Sequence, residues 1–67
     1  MNVTLDDQIE CLARELRRRR KVFPELVRDG RMSADQAAAE LARMDAARQT
    51  LAQLQGLLNG ARTAPAS

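Results

Sequence analysis

The chain has 67 residues, 45% of them hydrophobic, 30% charged and about 1% aromatic, with 11 Lys and Arg against 9 Asp and Glu. A domain this small buries only ~60% of its unfolded surface, and without Trp, Tyr or His it lacks the bulk for a sandwich or barrel and the side chain most used for acid–base chemistry near neutral pH; the expectation is that it is not an enzyme. Its one Cys cannot close an intrachain disulfide, and with no His there is no zinc site, so no cofactor or metal is expected and self-association is the remaining route to stability.

The N-terminus, MNVTLDDQIE, is acidic where a secretion signal would be basic. No apolar run approaches the ~18 to 20 residues of a membrane-spanning helix, so the expectation is a soluble, cytoplasmic chain with no membrane contact. From Leu5 the bulky apolar residues run Leu5, Ile9, Leu12, Leu16, Phe23 and Leu26, in steps of three and four with Arg19 out of pattern, which is helical periodicity. Thr4 is a good N-cap able to accept from the Asp7 N–H, and Asp6, Asp7 and Glu10 suit the positive end of the helix dipole. Pro24 lacks the N–H that would bond back to Arg20, which predicts a kink or restart there and a short continuation to about Arg28.

Asp29-Gly30 supplies a turn, Gly30 being able to take the left-handed conformation that closes a helix. Ser33-Ala34-Asp35-Gln36 reads as a capping box that starts a second helix at Ala34. Its apolar positions are Ala37, Leu41, Met44, Ala47, Leu51, Leu54 and Leu58, and its expected end is Asn59-Gly60. The short connection makes the two helices antiparallel neighbours. The expected fold is therefore all-α, one helical hairpin over residues 1–60, with the small, polar Ala61 to Ser67 as a disordered tail.

Two helices alone leave much of each apolar stripe uncovered, so a homodimer forming a four-helix bundle is expected. The stripe residues Leu5, Ile9, Leu12, Leu16, Leu41, Met44, Leu51, Leu54 and Leu58 are the candidate oligomer interface. Cys11, beside that stripe, reads as a small buried or interfacial apolar residue.

The unusual feature is the run Arg14, Arg17, Arg18, Arg19, Arg20 and Lys21, broken only by Glu15 and Leu16. Consecutive residues turn ~100° each, so the run encircles the helix and Arg19 falls along the apolar seam, with Asp45 or Glu40 as candidate partners. Cations near a helix C-terminus suit the dipole and cover apolar surface with their stems. They can also bind phosphate, which the Arg fork matches in pairs. No aromatic residue interleaves with them, and no helix-turn-helix or zinc-finger pattern is present, so sequence-specific DNA binding is not expected. The candidate partner- or anion-binding residues are Arg14, Arg17, Arg18, Arg20, Lys21 and Phe23.

The stretch R-R-R-K-V-F-P-E-L-V-R-D-G-R-M-S, then A-x-x-E-L-x-x-M and a later T-L, resembles small orphan proteins encoded by phages and prophages of proteobacteria. That resemblance implies a small accessory protein that binds and inhibits or redirects a host protein, or sequesters a defence signal; it transfers no functional residue. Three readings stay open from the residues: an interaction module for a host protein, a binder of nucleotide or nucleic acid through the Arg run, and a structural component whose arginines only solvate the helix.

Overall fold

The computed structural model describes residues 2–63, with side chains described for residues 2–60. It is a helical hairpin: α1 spans Leu5–Arg28 and α2 spans Ala34–Thr63, and the two pack against each other. No strand occurs among the described residues.

The start of α1 carries a complete capping box. The Asp7 N–H donates to Thr4 Oγ1 at 3.0 Å, and the Thr4 N–H donates back to Asp7 Oδ2 at 3.1 Å, so two otherwise unpaired donors are satisfied reciprocally. At α2 only half of that device forms. Ser33 Oγ accepts from the Gln36 N–H at 3.0 Å, while no return bond from the Gln36 side chain occurs among the described residues. Pro24 lies inside α1, which continues as one element to Arg28.

The link between the helices is a Schellman closure. The Gly30 N–H donates to the Val27 carbonyl at 3.1 Å and the Arg31 N–H to the Leu26 carbonyl at 2.9 Å, which ties off the last carbonyls of α1. Gly30 makes this possible with φ +74°, a conformation that costs a residue with a Cβ ~1–2 kcal/mol.

The far end of α2 departs from the sequence expectation. Instead of stopping at Asn59-Gly60, the helix passes through both to Thr63, so residues 61–63 of the expected tail are helical and only 64–67 lie outside the described residues. A Gly closes a helix by taking positive φ, and Gly30 alone does so among the described residues. Pro65 lies two positions beyond Thr63, and the residue before a proline is disfavoured in a helix.

The core is thin. Among the described residues only Leu16, at 1% exposure, and Ala37, at 6%, are buried. Leu5, Ile9, Leu12, Phe23, Leu26, Leu41, Met44 and Leu51 are half-buried along the seam. Leu16 therefore spends its surface on the contact between α1 and α2 and has none left for a second copy, which corrects its assignment to an oligomer interface. Ala47 is exposed, not on the face toward α1, and half-buried Arg48 stands beside it in the seam. Cys11 is exposed as well. The open end of the hairpin is left uncovered: Val3, Leu54, Leu57 and Leu58 are exposed, Leu57 at 73%.

Candidate partner-binding face

Packing sorts the cations of the run from Arg14 to Lys21 into two groups. Leu16 points at α2, and Arg14 and Arg18, two residues to either side of it, fall ~160° around the helix from it. They project away from the hairpin. Lys21, seven residues on from Arg14, continues that outward row, and Arg17 flanks it. Arg14, Arg17, Arg18 and Lys21 are all exposed, and none has a carboxylate partner among the described residues. Arg17, Arg18, Arg20 and Lys21 share one shallow surface depression.

The other two arginines of the run are engaged. Arg19 is half-buried along the seam as its spacing predicts, but its partner is neither Asp45 nor Glu40. Its Nε donates to Glu15 Oε1 at 3.0 Å, one turn back on the same helix, and its guanidinium lies 5.9 Å from the centre of the Phe23 ring. Pairing within one turn asks for no reach across the seam, and the ring holds the cation by its electron-rich face. Glu40 instead pairs with Arg43 on α2.

Arg20 is the residue that crosses to α2. Its Nη2 lies 3.7 Å from Asp45 Oδ1, and Asp45 also accepts from Arg48 Nη2 at 3.0 Å and from Gln49 Nε2 at 2.8 Å. Sequence reading offered Asp45 as a partner for Arg19 and missed Arg48 and Gln49, although their spacing of three and four from Asp45 carried the signal. Of the candidate binding residues, the structure thus leaves Arg14, Arg17, Arg18 and Lys21 free, engages Arg20 loosely, and places half-buried Phe23 under Arg19, outside the depression shared by the free cations.

The hydrogen bond from Arg48, then that from Gln49, then the charges of Arg48 and Arg20, hold the Asp45 carboxyl below its ordinary pKa, with slight burial opposing. A carboxylate whose pKa is depressed on folding stabilises the fold above its unfolded value, ~3.9, and that stabilisation is lost as pH falls through the lower folded value. The expected result is a melting temperature that falls as the pH is taken below ~4, with a shallower fall in Asp45→Asn. Thermal melts followed by circular dichroism between neutral pH and pH 2 measure both; identical profiles would remove Asp45 from the account.

No cluster of three or more His, Cys, Asp or Glu that could hold a metal occurs among the described residues, and none of the described helices is long and apolar enough to cross a membrane.

No protein-family model, curated protein or solved structure matches the chain.

Proposed function

We propose that the chain is a noncatalytic interaction module that dimerises and offers the outward face of α1 to an acidic patch on another protein. Arg14, Arg17, Arg18 and Lys21 make the face, with Arg20 at its edge; Phe23, seven residues on from Leu16, lies on the seam side instead. In the setting implied by the resemblance to phage-encoded orphan proteins, that partner is a host protein in the cytoplasm, which the module inhibits or redirects, including as an anti-defence factor. The observation that carries the reading is the sorting of the cations. Arg19, Arg20, Arg43 and Arg48 each meet a carboxylate, while the four on the outward face meet none among the described residues. A rigid helix presents them about one turn apart, a spacing suited to anionic groups on a partner surface.

A second reading is favoured by the choice of Arg over Lys. Of the four outward cations three are Arg, whose fork matches phosphate oxygens in pairs, which favours a nucleotide signal or nucleic acid as the ligand.

Arg17→Glu with Arg18→Glu tests both. The two side chains are exposed and unpaired, so helicity should persist, while capture of the partner should weaken by about tenfold or more, a loss of at least ~1.4 kcal/mol. Capture from host lysate that survives nuclease, with no ultraviolet-absorbing cargo, supports the protein partner. Cargo lost with nuclease moves the assignment to the second reading, and undiminished capture by the double variant rejects the basic face altogether.

A further inference from the structure

The uncovered leucines are not spread evenly over the hairpin. Leu54 follows Asp45 by nine residues, which at ~100° each places it half a turn around α2 from Asp45. The hairpin therefore has two flanks of opposite character. One carries the polar bridge of Arg20, Asp45, Arg48 and Gln49. The other carries Leu54 and Leu58, with exposed Ala47 two to three turns back and Leu51 half-buried beside them. On α1 the same flank holds half-buried Leu12 and Phe23 and exposed Val22. Its central charges are matched within α1 and α2 themselves, Glu15 with Arg19 and Glu40 with Arg43, while unpaired Arg18 stands at its rim beside Val22 and Phe23.

We infer that a second copy of this chain covers this apolar flank, with the two hairpins side by side and their loops at the same end. The inference rests on the dimer in the reading above and adds its face and orientation. Area is the first argument. A flank as long as α1, 24 residues or ~36 Å, and two helices wide at ~10 Å each, offers on the order of 700 Å² per copy, near the roughly 800 Å² that a standard interface takes from each side. Charge is the second. Away from Arg18 at the rim, the flank brings its own paired ions, so a symmetric copy centred on Leu54 and Leu58 meets no unpaired like charge at the middle of the contact. Orientation follows from where the leucines lie. Leu54, Leu57 and Leu58 are exposed at the open end, where Thr4, Leu5 and Asp6 face Gln55, Leu58 and Asn59 across a shallow cleft. Loops at the same end place this leucine-rich end against its own copy. The opposite orientation would set it against the loop-proximal half of α2, where the same flank carries Gln36, Glu40 and Arg43 and offers little apolar bulk. The outward faces of α1 then stay free on opposite sides of the pair.

Light scattering on the full chain should give twice the 7.4 kDa chain mass, and Leu54→Glu with Leu58→Glu should return it to one chain with helicity retained. Nitroxide labels at Arg31→Cys in a Cys11→Ser background read the orientation independently of that variant's folding. Labels within roughly 25 Å support loops at one end, whereas a separation of about 45 Å or more, the length of α2, overturns the orientation. A wild-type mass of one chain at high concentration, or a double variant that stays paired, overturns the docking face. A single-chain mass also removes the dimer from the reading above but leaves capture through Arg17 and Arg18 standing, whereas a double variant that stays paired removes the docking face alone, so the two failures are distinguishable.

Discussion

Leu16→Ala is expected to unfold the chain or bring it to the edge of unfolding. Leu16 is the one bulky side chain fully withdrawn from solvent among the described residues, and truncating a buried Leu costs ~2–5 kcal/mol through lost transfer energy and the cavity left behind. A hairpin with so small a core holds only a few kcal/mol in reserve. At ~4–8 °C per kcal/mol for a domain of this size, the melting temperature should drop by about 10 °C or more. Leu58→Ala is the control for packing within one hairpin. Leu58 is 46% exposed at the open end, so its truncation should move the melting temperature far less at concentrations where the protein is a single chain. Equal shifts for the two variants under those conditions would mean that the stability does not reside at the centre of the seam.

Much of this architecture is written in local chemistry, and the parts that are not have a common cause. Thr4, Gly30 and Ser33 act within a few residues of themselves, through a cap, a left-handed turn and a second cap, so the hairpin and its connection follow from the chain alone. The α1 stripe is equally plain, because Leu5, Ile9, Leu12 and Leu16 stand out against a charged background. In α2 the background is alanine. With Ala38, Ala42, Ala46 and Ala47 around the helix, several faces look apolar, and the one turned toward α1 is set by which residues α1 offers in return. The alanine spacing therefore points Ala47 inward although it lies outside, while Arg48, a charged residue, sits half-buried because Asp45 receives it. Asn59-Gly60 misleads for a different reason. Glycine permits a helix to close but does not compel it, and both Asn59 and Gly60 fit within a continuing helix.

The candidate site divides along the same line. That the Arg run encircles the helix follows from its length, since five consecutive residues cannot share one face. Which of them is free depends on the packing of the other helix. Arg19 has a carboxylate four residues away and takes it, so it has no need of α2. Arg20, one residue on, is the one whose arc brings it within 3.7 Å of Asp45. Subtracting these two leaves Arg14, Arg17, Arg18 and Lys21, a smaller and more directional face than the run itself suggests. Arg17→Ala with Arg20→Ala would thus mix a free cation with one that bridges the helices, whereas Arg17 and Arg18 test the outward face alone.

Pro24→Ala is expected to stabilise the hairpin substantially. Pro24 lies inside α1 with a further turn of helix after it. There a proline is ~3 kcal/mol less favourable than alanine, because it leaves the carbonyl four residues earlier without its donor and crowds it with the ring. The carbonyl in question is that of Arg20. Pro24 is itself exposed, so little packing is lost by truncating it. Against the gain stands the greater freedom of the unfolded alanine chain, ~0.4–1 kcal/mol. The net expectation is about 2 kcal/mol of added stability and a melting temperature higher by about 10 °C. An unchanged or lower melting temperature would mean that the bend expected at Pro24 is what seats Phe23 and Leu26 along the seam, and that straightening α1 lifts them off α2. Capture of a partner separates the two roles of this residue. If the stabilised variant also binds as the wild type does, the proline shapes neither the seam nor the outward face; if it gains stability and loses capture, the bend sets the direction in which Arg17, Arg18 and Lys21 are presented.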